Sequence, residues 1–198
     1  MPGDFINVDE QLLPSGNALI HATGEESGPL SNGTHLRSMT SAEVLKQRPP
    51  RPPDYAAENR ALIGLAQSMA TAPGDILQRL ADTALNICRA HSAGLSLLED
   101  GDQRRNFHWR AIAGEFAHYL NGGTPRDFGP CGAVLDRNAA QLCSHPEIDF
   151  PYFSEAKPTL DEILLVPFYI EGAAVGTIWI VSHDTAKRRF DEIGRAHV

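Results

Sequence analysis

Apolar positions along this chain change period twice, and the changes mark out its elements. From residue 54 the spacing is helical. Tyr55, Leu62, Leu65 and Met69 are separated by seven, three and four residues and share one face of a helix. The stretch Thr71-Ala72-Pro73-Gly74-Asp75 breaks that helix and starts another. Pro73 suits a first helical turn, and Asp75 suits the positive end of a helix dipole. Ile76, Leu77, Leu80, Ala84, Ile87 and Cys88 then form a second apolar stripe, which makes Cys88 a buried structural thiol.

The period then shortens to two. Residues 93–99, "AGLSLLE", and 107–114, "FHWRAIAG", read as strands joined around Asp100-Gly101-Asp102. In the second, Phe107, Trp109 and Ala111 alternate with His108, Arg110 and Ile112. A helical turn is expected over 115–120, followed by the glycine pair Gly122-Gly123, and a short strand over 139–144. The strongest signal is "EILLVPFYI" and "AAVGTIWIV" around Glu171-Gly172, two β-branched and aromatic runs flanking a turn. Pro167 lacks an N–H, so it must face an edge, a bulge or solvent. Arg188-Arg189-Phe190-Asp191 reads as the entry to a further helix. This order implies an α+β domain: an antiparallel sheet with helices on one face and a connecting segment over the other. No fixed repeat period is present, which excludes a solenoid.

Residues 1–53 differ from the rest. They hold half of the 14 prolines, one aromatic residue (Phe5), and a closing "RPPRPP" over 48–53. Too little apolar surface is on offer to offset the ordering entropy, so a disordered tail with a polyproline II spacer is expected, either a plain linker or an SH3-type ligand. The formal net charge of −8, with no basic stripe, argues against nucleic acid and anionic membranes. The apolar runs over 163–170 and 173–181 are too short to span a bilayer. The first residues lack the basic start and apolar core of a secretory signal. Three cysteines without metal-ligand spacing fit reduced thiols in a cytoplasmic protein.

Four stretches together carry a resemblance: "RPPDYAAENRALIGLA", "ILQRLADTALNICRAHSAGLSLLE", "TPRDFGPCGAVLDRNAAQLCSHPEIDFPYF" and "LLVPFYIEGAAVGTIWIVSHD" with the exit "RRFD". From about Pro52 to Asp191 the chain resembles a GAF domain of the kind at the N-terminus of bacterial sensor histidine kinases. The resemblance implies a five- to six-stranded antiparallel sheet, a small-molecule pocket, dimerisation through terminal helices and a sensory role. The expected domain spans residues 54–192. The last six residues, "IGRAHV" over 193–198, match one reading frame of a common sequencing adapter and are expected to be non-native, with an output domain missing.

The chemistry turns on Asp127-Phe128-Gly129-Pro130-Cys131-Gly132. Cys131 stands at an expected helix N-terminus, where free amides and the dipole favour a thiolate, so it is either a redox-responsive cysteine or a cap-like turn residue. The second is the expectation. Some GAF domains reduce free methionine sulfoxide with an attacking cysteine in the loop that here reads "HPEIDFPYF", which has none. Others attach a linear tetrapyrrole through a cysteine next to histidine, whereas Cys131 is followed by Gly132. His108, His145 and His183 share no ligand spacing, so no metal, haem or other cofactor is expected. By the resemblance, the ligand-contacting residues are Trp109, Arg126, Asp127, Phe128, Cys131, His145, Phe150, Tyr152 and Phe153. The overall expectation is a non-catalytic, homodimeric module sensing an unknown small molecule, with a reductase and a ligand-free dimerisation scaffold as the alternatives.

Overall fold

A computed structural model describes residues 36–100, 105–186 and 189–190. Strand β1 (Met39–Ser41) leads through a 3₁₀ turn (Ala42–Gln47) to helices α1 (Tyr55–Thr71) and α2 (Ile76–Ile87). Then come β2 (Ser92–Asp100), β3 (Arg105–Gly114), β4 (Gly123–Pro125), α3 (Pro130–Arg137) and β5 (Gln141–Ser144). Two 3₁₀ turns (Pro146–Ile148 and Pro151–Glu155) precede the hairpin β6 (Glu162–Ile170) and β7 (Ala173–Ser182). The strands form one antiparallel sheet in the order β1-β5-β6-β7-β2-β3-β4.

The α+β architecture is the expected one, and both hairpins form. The sheet is covered on both faces, which explains why β6 and β7 read as continuous apolar runs rather than apolar-polar alternations. Ile178 and Ile180 face α2, with Ala81, Ala84, Ala93, Leu95 and Leu164. Trp179 and Val181 face the other way, toward α3 and the segment 145–160, with Ile163, Leu165, Val134 and Phe150. Pro167 lies beyond the last β5 pair, Gln141–Leu165, and next to a bulge at Phe168/Tyr169, as a residue without an N–H requires.

Three readings are corrected. The sheet has seven strands rather than five or six, because β1 and β4 have only three residues each and so carry no readable alternation. The boundary of the tail at residue 53 is also wrong. Residues 36–48 belong to the fold: β1 pairs with β5 and covers that sheet edge, and Leu36, Met39, Ala42 and Leu45 are buried. Arg48 then makes a two-pronged ion pair with Glu162 at 2.7 and 2.9 Å and donates to the Phe190 carbonyl at 2.8 Å. A composition averaged over 53 residues hides these few well-placed side chains. The earlier part of the expected tail, residues 1–35, lies outside the described residues, as do residues 101–104, on which the expected turn at Asp100-Gly101-Asp102 falls in part, and the terminal 193–198.

The third correction concerns β3. A register shift between Leu95 and Ser96 places Leu95 opposite Ala111 and Ser96 opposite Trp109, so Arg110 is the extra residue of a bulge. The bulge reverses the alternation. Phe107, Trp109 and Ile112 share one face, while Ala111 and Ala113 pack under α2. Arg110 pairs instead with Glu99 at the surface.

Candidate functional site

The motif that begins α3 places Pro130 at the first helical position and leaves Gly129 as the N-cap, without a side chain to satisfy the first amides. Gly132 allows the helix to approach the preceding segment: a Cβ there would lie 2.2 Å from the Arg126 carbonyl oxygen. Cys131 is therefore at the helix N-terminus, as expected, but it is not the cap. Its side chain turns into the sheet, where Thr177 Oγ1 donates to its sulfur at 3.2 Å and Ser96 Oγ lies 3.6 Å away. Ser96 also accepts from Trp179 Nε1 at 2.9 Å. Burial pushes the Cys131 thiol up, and its hydrogen bonds with Thr177 and Ser96 offset this only in part. The thiol is thus neutral and shielded rather than activated.

We expect iodoacetamide to label a variant retaining only Cys131 slowly, with a labelling pKa above the free value of about 8.5. Cys131→Ser keeps a hydrogen-bonding group between Thr177 and Ser96, and stability should change by less than about 1 kcal/mol in urea denaturation. A labelling pKa near 6 would contradict the buried placement.

Around this trio lies a cavity between the sheet and the covering segment. It offers about 50 Å³ to atom centres of water size. Its floor is Ser96, Ile163, Trp179 and Val181; one wall is Trp109, Ile112, Phe116 and Tyr119; the cover is Pro130, Cys131, Tyr152, Phe153, Ala156 and Leu160, with Thr124 from the middle of β4. Trp109 and Tyr119 meet edge to face at 6.2 Å, and Tyr152 stacks on Phe153 at 4.3 Å.

Of the nine candidate contacts, Trp109, Cys131, Tyr152 and Phe153 line this cavity. The other five are placed elsewhere. Arg126, 22% exposed, pairs with Asp136 at 2.5 Å and with the exposed Asp127 at 3.4 Å, so its charge is met by carboxylates away from the cavity lining. Phe128 backs the Tyr152 ring from outside at 5.0 Å. His145 is exposed, in a left-handed conformation (φ 53°), and pairs with Glu147. Phe150 is core, with its ring edge on Phe153.

Ser96, Ile112, Phe116, Tyr119, Thr124 and Trp179 were not among the nine. For Ser96, the available signal was a polar residue in the middle of a leucine-rich strand. For Ile112, the bulge concealed the face. Cys143 is buried beside Ser38, and burial pushes its thiol up to about 12. Among the described residues, no three His, Cys, Asp or Glu side chains are placed to hold a metal ion, and no helix is long and apolar enough to cross a membrane.

Comparison with solved structures finds the same fold in GAF domains of phosphoenolpyruvate-protein phosphotransferases. The Acinetobacter domain is 15% identical with a TM-score of 0.58, over 71% of this chain and 84% of that one. The Coxiella burnetii domain is 15% identical with a TM-score of 0.58, over 73% and 88%. A type II free methionine-R-sulfoxide reductase from Thermoplasma acidophilum is 17% identical over 71% and 84%, with a TM-score of 0.48, too low to bear on activity. No curated protein sequence matches significantly. The family model described as "GAF domain" matches residues 70–196, from the end of α1 past the terminal hairpin. The chain belongs to the GAF domain family.

Proposed function

We propose that this chain is a non-catalytic sensory module that binds a small molecule in the cavity under residues 145–160 and reports its presence to an output domain, in a cytoplasmic signalling protein of the sensor histidine kinase type. The observation that carries this reading is the cavity itself: a largely apolar, aromatic-walled space with a few hydroxyl groups, which is the usual make-up of a small-molecule site. A reductase is disfavoured by its thiols. Cys131 is held neutral between Thr177 and Ser96, Cys143 is buried, and the segment 145–153 contains no cysteine to attack a sulfoxide. Native mass spectrometry of the chain purified from cells tests the proposal. An added mass below that of a nucleotide, lost on denaturation, is the expected result; a bare homodimer from every preparation would favour the ligand-free scaffold.

The module pairs, in this reading, through α1. Asp54 caps the helix by accepting from the Ala57 amide at 2.9 Å, yet none of the 17 residues is buried. Leu62 and Met69 are each 65% exposed, beside Ile63 at 59%. A solvated apolar face of this kind marks an interaction surface. Ligand binding would then bias the arrangement of the paired helices by no more than its difference in affinity for the two states. Glutamate at both Leu62 and Met69 is expected to convert a dimer to a folded monomer in light scattering, and a wild-type chain that is monomeric at high concentration would refute the pairing.

A further inference from the structure

The cavity has a chemical polarity that narrows its ligand. Six aromatic side chains enclose it from three sides: Trp109, Phe116 and Tyr119 along β3 and the turn after it, Tyr152 and Phe153 from the cover, and Trp179 from the sheet. No charged side chain is among the lining residues. An ion brought into such a space loses its hydration with no counter-charge to replace it.

Two of the lining hydroxyls converge on one end of the cavity. Thr124, 6% exposed, and Tyr152 both direct their hydroxyls toward the start of α3: a Cβ built on Gly129 would lie 2.7 Å from Tyr152 Oη and 3.8 Å from Thr124 Oγ1. Among the described residues neither hydroxyl is taken up by a hydrogen bond within the protein, and neither is sealed away from the cavity, so both are open to a ligand atom. A ligand oxygen between them would satisfy both, next to the positive end of an eight-residue helix. Burial pushes the Tyr152 phenol well up, so this end of the cavity resists negative charge. The space, about 50 Å³ for atom centres, suits one ring with a small substituent and not a nucleotide or a tetrapyrrole.

We propose that the cavity binds a small uncharged single-ring aromatic molecule bearing one oxygen function, of the phenol or aromatic aldehyde class. Its ring lies among Trp109, Tyr119 and Trp179, and its oxygen lies between the hydroxyls of Thr124 and Tyr152. This rests on the reading of the cavity as the sensory site.

The test is direct, because the chain has two tryptophans and both line the cavity. Their emission and isothermal titration calorimetry are followed while phenol, benzaldehyde, benzoate, toluene and tetramethylammonium are added to the full chain. Phenol and benzaldehyde should change the emission saturably, and benzoate and tetramethylammonium should bind at least about tenfold more weakly. Tyr152→Phe and Thr124→Val should each weaken phenol by roughly tenfold while leaving toluene unchanged, since only a hydroxyl partner is lost. Benzoate or tetramethylammonium binding as tightly as phenol would overturn the uncharged class. Absence of saturable binding by all the aromatics would overturn it too. Neither outcome decides the sensory reading, which the native mass spectrum tests without these probes. Unchanged phenol affinity in both hydroxyl variants would overturn the placement of the oxygen.

Discussion

Arg48→Ala is expected to destabilise the domain by about 3–5 kcal/mol, the range for removing one partner of a buried ion pair. The loss arises less from the attraction forfeited than from what remains. Glu162 is 2% exposed at the start of β6, and among the described residues its carboxylate would retain, without the guanidinium, only the Ser144 hydroxyl at 3.4 Å. The same substitution removes the donor to the Phe190 carbonyl, so it also loosens the chain's path out of the domain. Equilibrium urea denaturation at neutral pH measures the effect. Pairing Arg48→Met with Glu162→Met should recover most of the loss, because no uncompensated charge then stays buried. A single-variant loss below about 1 kcal/mol would mean that residues 36–48 are only lightly attached. A chain beginning at residue 50 should fare at least as badly as the point variant. It loses the β1 pairing and the buried Leu45 together with Arg48, whereas a purely disordered tail could be cut away at little cost.

How far the sequence carried depended on the length of each signal. The β6–β7 hairpin was legible because nine- and ten-residue runs flank a turn, and α2 because six apolar residues keep helical spacing. β1 and β4 were not, since three residues cannot show a period. Arg48 looked like part of a solvated proline-rich spacer, and nothing local to it reveals a partner 114 positions away. The site was half legible for the same reason. Tyr152 and Phe153 line the cavity and could be picked out beforehand because an aromatic cluster in an irregular segment is conspicuous. Arg126, Asp127 and His145 lie off the cavity lining; charge in a loop suggests a ligand as readily as it suggests solvent. The bulge at Arg110 is a tertiary decision that swaps Ala111 and Ile112 between faces, and strict alternation assigns both wrongly.

Trp179→Ala is the second large effect. Trp179 is 6% exposed and stands in the strand that pairs with both β6 and β2. Emptying an aromatic core site of this size costs about 3–5 kcal/mol, and here it also takes the indole donor from Ser96. Its packing requires Gly94 directly opposite. A Cβ on Gly94 would lie 2.3 Å from Trp179 Cζ2, 2.6 Å from Cη2 and 2.8 Å from the Ala111 carbonyl oxygen. Gly94→Ala should therefore destabilise strongly by overpacking, typically about 1–3 kcal/mol or more. The two positions should not act additively. Trp179→Phe removes the two indole carbons that meet the new methyl, so Gly94→Ala should cost less in that background than in the wild type. The contact with the Ala111 carbonyl is untouched by that change, so the rescue should be partial. Denaturation of the two single variants and the double variant completes the cycle. Strict additivity would show that the indole does not rest on Gly94, and a near-neutral Trp179→Ala would move this ring out of the cavity floor altogether.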